Sequence, residues 1–147
     1  HLLAEMENND LVVGSRYTKS GELRNWPLTR RFLSRFANWY VRTLTGLPFY
    51  DVTSGFHCFR TELLKKIFRH RISTEGYAFQ IELKLLAAME KARIKEIPIT
   101  FTDRTQGESK ISKRVILESM VFVLKLARGR SRIRRMTKNE QKQNAYR

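Results

Sequence analysis

DLVVGSRY, residues 10–17, is a short run of strand-forming apolar residues that turns polar at its C-terminal end. Asp10 to Tyr17 reads as a short buried β-strand, and its polar C-terminal end, with Ser15, Arg16 and Tyr17, is where α/β proteins place their ligands. Upstream, Leu2 to Met6 reads as the end of a helix. Downstream, Thr18 to Trp26 contains Ser20, Gly21 and Asn25 and reads as a loop. Pro27 suits the first turn of a helix that runs to about Leu44, where Gly46 and Pro48 end it.

Further along, Val52 to Phe59 (VTSGFHCF) reads as a strand with a close backbone approach at Gly55. Thr61 is the expected cap of a short helix carrying Leu63, Leu64, Ile67 and Phe68. A loop at Ser73 to Gly76 leads into a helix from about Tyr77 to Ala92. Ile94 to Thr102 alternates and contains Pro98, which predicts one edge strand. The polar loop Asp103 to Ile111, centred on Gly107, precedes an amphipathic helix at about Ser112 to Arg128. The fold class is therefore α/β: one domain over residues 1–128, followed by a basic tail, 129–147, with too few apolar residues to pack and an expectation of disorder.

Composition narrows the partners. With 147 residues, 41% of them hydrophobic, the chain can bury one core of ordinary size. The balance of 29 Lys and Arg against 14 Asp and Glu gives +15, which calls for a polyanion: a phosphorylated ligand, an anionic lipid surface or a nucleic acid. One cysteine, Cys58, excludes an internal disulfide and a cysteine-based zinc site. No signal peptide is visible at the N-terminus. The longest apolar run, 115–127, is interrupted by Glu118 and Lys125, so no segment is expected to span a bilayer, which needs about 20 mostly apolar residues.

Four constellations can carry chemistry. Arg16 closes the first strand, and Arg30 and Ser34 lie four apart on one face of the next helix, a placement that lets them converge on a phosphate. That helix also bears an apolar stripe of Leu28, Phe32, Phe36, Trp39, Tyr40, Val41 and Leu44, with Arg31, Arg35, Asn38 and Arg42 on its other faces. Asp51 to Phe56 (DVTSGF) gathers a carboxylate, two hydroxyls and a glycine, a set that also makes ordinary turns. GYAFQIE, 76–82, opens a helix with Gln80 and Glu82 pointing in different directions. RTQGESK, 104–110, is a glycine-centred loop bearing Arg104 and Lys110, suited to folding over a diphosphate.

In this order, DLVVGSRY, DVTSGFHCFR (51–60), GYAFQIE, EIPITF (96–101) and RTQGESK resemble the second half of the inverting family-2 glycosyltransferases, in the dolichyl- or polyprenyl-phosphate mannose synthase branch. The resemblance covers about two thirds of the chain, from Asp10 to Lys110. It implies the C-terminal, acceptor-side part of a GT-A, Rossmann-like domain with amphipathic helices. It implies transfer of mannose, with inversion, from GDP-mannose to dolichyl or polyprenyl phosphate on the cytoplasmic face of a membrane. Arg16, Arg30 and Ser34 then hold the acceptor phosphate, Arg104 and Lys110 the donor diphosphate; Gln80 and Glu82 lie near the sugar cavity, and Asp51 is the one candidate catalytic residue. Such enzymes use a divalent metal, Mg or Mn, held by an Asp-x-Asp pair. No Asp-x-Asp occurs in this sequence, so the expectation is that the nucleotide-binding half lies upstream, that this chain holds no metal by itself, and that the piece alone is inactive. His57 stands where relatives commonly carry Arg or Lys, which suggests a site sensitive to pH near neutrality. A glucosyltransferase of the same family is the near alternative. A basic nucleic-acid-binding module and a non-catalytic membrane adaptor are the alternatives of other classes, and no RNA or DNA motif supports the former.

Overall fold

A computed structural model describes residues 1–103, 119–125, 127 and 128. The chain divides into two compact units, His1–Lys110 and Ile111–Arg147. In the second, the described residues are helical, within the helix expected at 112–128; the tail 129–147 and the loop residues 104–111 lie outside the described residues.

The first unit is built round β1 (Leu11–Ser15), every residue of which is buried. Such a strand needs cover on both faces and partners on both edges. β3 (His57–Phe59) supplies one edge, antiparallel, pairing Leu11 with Phe59 and Val13 with His57. β4 (Ile94–Pro98) supplies the other, parallel, from Leu11 opposite Ile94 to Ser15 opposite Pro98. Asp10 ties the start of β1 to the start of β4 by accepting from the backbone N–H, Nε and Nη2 of Arg93. These hydrogen bonds hold its pKa down to about 2, against slight desolvation.

The single edge strand expected over 94–102 is two strands. At Ile99 the backbone changes partners: its N–H donates to Ser15 of β1 at 3.0 Å and its carbonyl accepts from Glu22 at 3.0 Å. Beyond it β5 (Thr100–Thr102) pairs in parallel with β2 (Glu22–Arg24) in a separate sheet of two strands. β2 lies inside the segment read as a loop; three exposed or half-exposed residues carry no periodic signal, and the pairing is made by the backbone. Gly21 matters here because an added Cβ would sit 2.7 Å from Arg16 backbone carbon and Ser15 oxygen, so the turn into β2 lies directly on the end of β1. The close approach expected at Gly55 is absent, the nearest atom to an added Cβ being on Gln80 at 3.8 Å; Gly14, beside Phe56 and Ile99, is crowded as Gly21 is.

Of the helices, α1 (Leu2–Glu5) precedes β1 and α2 (Leu28–Thr45) follows β2, with Pro27 as its N-cap and Gly46 ending it in the left-handed conformation (φ 64°), its N–H on the Arg42 carbonyl. α3 (Thr61–Ile67) begins after Arg60, which sits at the cap in place of the expected Thr61 and makes no side-chain capping bond. α4 (Gly76–Met89) buries seven consecutive residues, 81–87, and is thus a central helix covered on all sides. Two of the seven are charged, Glu82 and Lys84.

Candidate functional site

At the C-terminal end of β1 the chain leaves the sheet through Arg16, and a buried carboxylate fixes this side chain. Arg16 Nε donates to Asp51 Oδ2 at 2.7 Å and Nη2 to Oδ1 at 2.8 Å, while the Arg16 backbone N–H also reaches Oδ2 at 3.0 Å. Nη2 donates in addition to Thr53 Oγ1 at 2.9 Å. None of these bonds uses Nη1. The Asp51 side chain is wholly buried and that of Arg16 is 11% exposed. Burial pulls the guanidinium pKa down, but hydrogen bonding and charge from Asp51 outweigh it and the net shift is upward, so Arg16 is a fixed cation.

Of the strand expected over 52–59 only the last three residues form one, as β3; the segment from Asp51 to Phe56 is a loop. Its backbone groups are claimed by side chains before they can join a ladder. Glu96 on β4 accepts the N–H groups of Tyr50 at 2.7 Å and Asp51 at 2.9 Å. Asn38, buried on α2, accepts the Val52 N–H at 2.7 Å and donates to the Ser34 carbonyl at 2.9 Å and Thr53 Oγ1 at 3.3 Å. Ser54 donates from Oγ to the Gly14 carbonyl at 2.6 Å, and Lys84 Nζ donates to the Ser54 carbonyl at 2.5 Å. The sheet, α2 and α4 thus hold the loop from three sides.

A second cation arrives from α2. Arg30 Nη1 pairs with Asp103 Oδ2 at 2.5 Å, and Arg30 Cζ lies 4.0 Å from the centroid of the Trp26 ring. Arg16 Cζ lies 5.3 Å from the same centroid. Trp26 packs edge-on against Phe101, at 5.6 Å and 87°, and its indole N–H is buried without a hydrogen-bond partner. Both arginines therefore meet on one indole, the geometry of a cation–π contact. Ser34 lies one helical turn beyond Arg30, half-buried, beside the Asn38 anchor.

The other residues singled out in the sequence fall elsewhere. Glu82 accepts from the backbone N–H and the hydroxyl of both Ser73 and Thr74, at 2.5 to 3.3 Å, and so caps the approach to α4. Gln80 faces Gly55, with its Oε1 buried and without a hydrogen-bond partner. Arg104 and Lys110 lie outside the described residues. His57 does not titrate near neutrality as expected: burial, aided by the positive charge of Lys84, pushes it down to about 4. Among the described residues no three His, Cys, Asp or Glu side chains gather as a metal would require, and Asp51 and Glu96 are taken up by the donors just described; these residues do not by themselves fit a divalent cation.

Trp26, Asn38, Lys84 and Glu96 were not marked in the sequence as site residues. Only Trp26 carried a signal, as an aromatic residue between Arg16 and Arg30 in a polar loop. α2 is also turned differently from a core helix: Asn38, Val41 and Thr45 face inward, while Leu28, Phe32 and Trp39 are 79%, 75% and 60% exposed. Along its flank an open cavity of about 600 Å³ is lined by Tyr17, Arg35, Trp39, Arg42 and Tyr50 among others, with Arg42 Cζ 5.0 Å from the Tyr50 centroid.

No protein-family profile matches the chain. It is similar to the polyprenol monophosphomannose synthase of Mycolicibacterium smegmatis, 44% identical over 114 residues, which are 78% of this chain and 43% of that protein. It is also similar to the undecaprenyl-phosphate mannosyltransferase of Micrococcus luteus, 38% identical over 122 residues, 83% of this chain and 50% of that protein. The chain thus spans about half the length of the curated relatives it matches.

Proposed function

We propose, from the premise that the chain is homologous to part of the polyprenyl-phosphate mannose synthases of glycosyltransferase family 2, that it forms the acceptor-phosphate side of such an enzyme. The observation that carries this is the meeting of Arg16 and Arg30 on Trp26 at the C-terminal end of β1. Two guanidinium groups from different elements, with an orphan indole N–H beside them, suit the oxygens of one phosphate. Ser34, on the next turn of α2, adds a hydroxyl donor.

The reaction is transfer of mannose from GDP-mannose to a polyprenyl phosphate with inversion at the anomeric carbon. A phosphate monoester has its second pKa near 6, so the acceptor oxygen is already anionic at pH 7 and needs no general base. The residues of this chain then act by position. Asp51 holds Arg16, Asp103 pairs with Arg30, and the two cations bring the acceptor to the face opposite the departing GDP. Asp51 is accordingly a residue that orients Arg16, since its carboxylate is buried and fully engaged. Arg104 and Lys110 balance charge on the leaving diphosphate, and a divalent cation is held by residues beyond those of this chain.

An acceptor with a polyprenyl tail stays in lipid, so the site must lie at a membrane. No described helix is long and apolar enough to cross one. The exposed Leu28, Phe32 and Trp39 of α2, flanked by Arg35 and Arg42, instead suit an interfacial helix whose apolar face enters the lipid and whose cations meet its anionic surface. The test is mannose transfer by an enzyme containing this segment, with GDP-mannose and a polyprenyl phosphate. Loss of roughly 100-fold or more in kcat/KM for Arg30→Ala supports the reading, on the scale of one charge acting on a transferring phosphate. Unimpaired transfer rejects the acceptor site, and transfer from a nucleotide-linked glucose donor, with none from GDP-mannose, selects the related glucosyltransferase.

A further inference from the structure

Lys84 braces the loop of the site just described, and its charge has been given no role there although the residue is fully buried in α4. Its Nζ donates to the Ser54 carbonyl, in the loop that presents Asp51. Four charged or titratable groups face it: Asp51 on that loop, Glu96 on β4, Arg16 at the end of β1, and His57 on β3. A cation in the interior costs stability unless something requires it, and the Ser54 carbonyl alone could be served by a neutral donor.

We propose that Lys84 is a positioning residue for acceptor binding, whose buried charge, added to that of Arg16, balances Asp51 and Glu96 so that no net negative charge opposes an incoming phosphate dianion. With Lys84 protonated, Arg16 and Lys84 offset Asp51 and Glu96 and, His57 being neutral near pH 7, the cluster is neutral before the ligand arrives. Without that proton the cluster carries one net negative charge in a low-dielectric region, and a dianion approaching Arg16 is repelled by it. The position of the lysine also matters for shape, since Ser54 is bound both to Lys84 and to the Gly14 carbonyl of β1. The inference rests on the assignment of Arg16 and Arg30 to the acceptor phosphate.

Burial lowers the pKa of Lys84, Asp51 and Glu96 raise it and Arg16 lowers it further; the result is about 8. Phosphate binding should therefore weaken as pH rises through this value, while the ligand itself, with its second pKa near 6, keeps the same charge. The experiment titrates the 147-residue chain with geranyl phosphate, a water-soluble polyprenyl phosphate, between pH 7 and 9.5 by calorimetry. The expected result for the unaltered chain is about tenfold weaker binding at pH 9.5 than at pH 7. Lys84→Met should bind about tenfold more weakly at pH 7 and show no further fall, whereas Lys84→Arg should restore binding and abolish the pH dependence.

The Cε resonance of Lys84, followed by NMR in the unaltered chain, must titrate with the same midpoint as binding, which keeps the inference testable even if a variant fails to fold. Binding that depends on Arg16 and Arg30 but is flat with pH, or that falls with a midpoint different from that of Lys84, overturns the role of the lysine alone. Binding of geranyl phosphate that is indifferent to Arg16→Met and Arg30→Ala overturns the acceptor site itself.

Discussion

Replacing Asp51 by alanine should be among the most damaging single changes in the first unit. The carboxylate accepts both prongs of Arg16 at 2.7 and 2.8 Å, the Arg16 backbone N–H at 3.0 Å and Thr53 Oγ1 at 3.2 Å, and it is wholly buried. Removing one partner of a buried pair costs about 3–5 kcal/mol, chiefly because the other charge is left without compensation. Arg16 keeps 11% exposure and the Trp26 face, so part of its charge can turn to water, which places the expected loss near the lower end, about 3 kcal/mol. At about 2–4 °C per kcal/mol for a chain of this size, Tm should fall by roughly 6–12 °C. Urea unfolding followed by the fluorescence of Trp26 and Trp39 measures it. The double variant Asp51→Ala with Arg16→Met should recover most of the loss, because it leaves no buried charge unpaired. A loss below about 1 kcal/mol in the single variant, or a double variant less stable than the single one, would refute the claim that Asp51 exists to hold Arg16.

Three further outcomes are expected. Lys84 has a native pKa of about 8 against 10.5 when exposed, so the native state sheds this proton before the unfolded chain does; stability should rise between pH 8 and 10.5 by about 3 kcal/mol, a gain that Lys84→Met should lack in denaturant titrations. Asp10, held at about 2 by Arg93, contributes stability that is fully present above pH 4 and is lost as pH falls through 2; its carboxyl carbon should titrate near 2 by NMR, and a midpoint near 4 would mean the Arg93 bonds do not form. Replacing the exposed Phe32 and Trp39 together by glutamate should weaken binding to phosphatidylglycerol vesicles at least tenfold while leaving geranyl phosphate binding within twofold, and unchanged vesicle binding would remove α2 from the membrane surface.

How far the sequence discloses this arrangement depends on the kind of signal. β1 is legible because Leu11, Val12 and Val13 are apolar in succession, and α2 because Pro27 and Gly46 bracket it. Which way α2 faces is not legible. The seven positions of its apolar stripe establish two unlike faces, but periodicity does not say what lies against each; Asn38 turns inward to bond the loop at 50–55, and the buried Thr45 hydroxyl donates to the Val41 carbonyl and accepts from the Leu47 N–H. The pairing of Arg16 with Asp51, 35 residues apart, is likewise tertiary information. The burial of Lys84 and Glu82 was hidden for a related reason: charged residues in a helix are expected outside, and only the packed structure shows the carbonyl and the turn that draw them in. Ile99 could not be foreseen as the residue where one alternating segment becomes two strands, because the change of partner is made by its backbone.

The claim on which the rest depends is that Arg16 and Arg30 share one phosphate. Calorimetric titration of the chain with geranyl phosphate at pH 7, comparing the unaltered protein with Arg16→Met, Arg30→Ala and the two combined, tests it most directly. Two cations on one ligand should be coupled: each single variant should weaken binding at least tenfold, and the double variant by clearly less than the product of the two. Losses that simply multiply, or a single variant with unaltered affinity, would contradict a shared site.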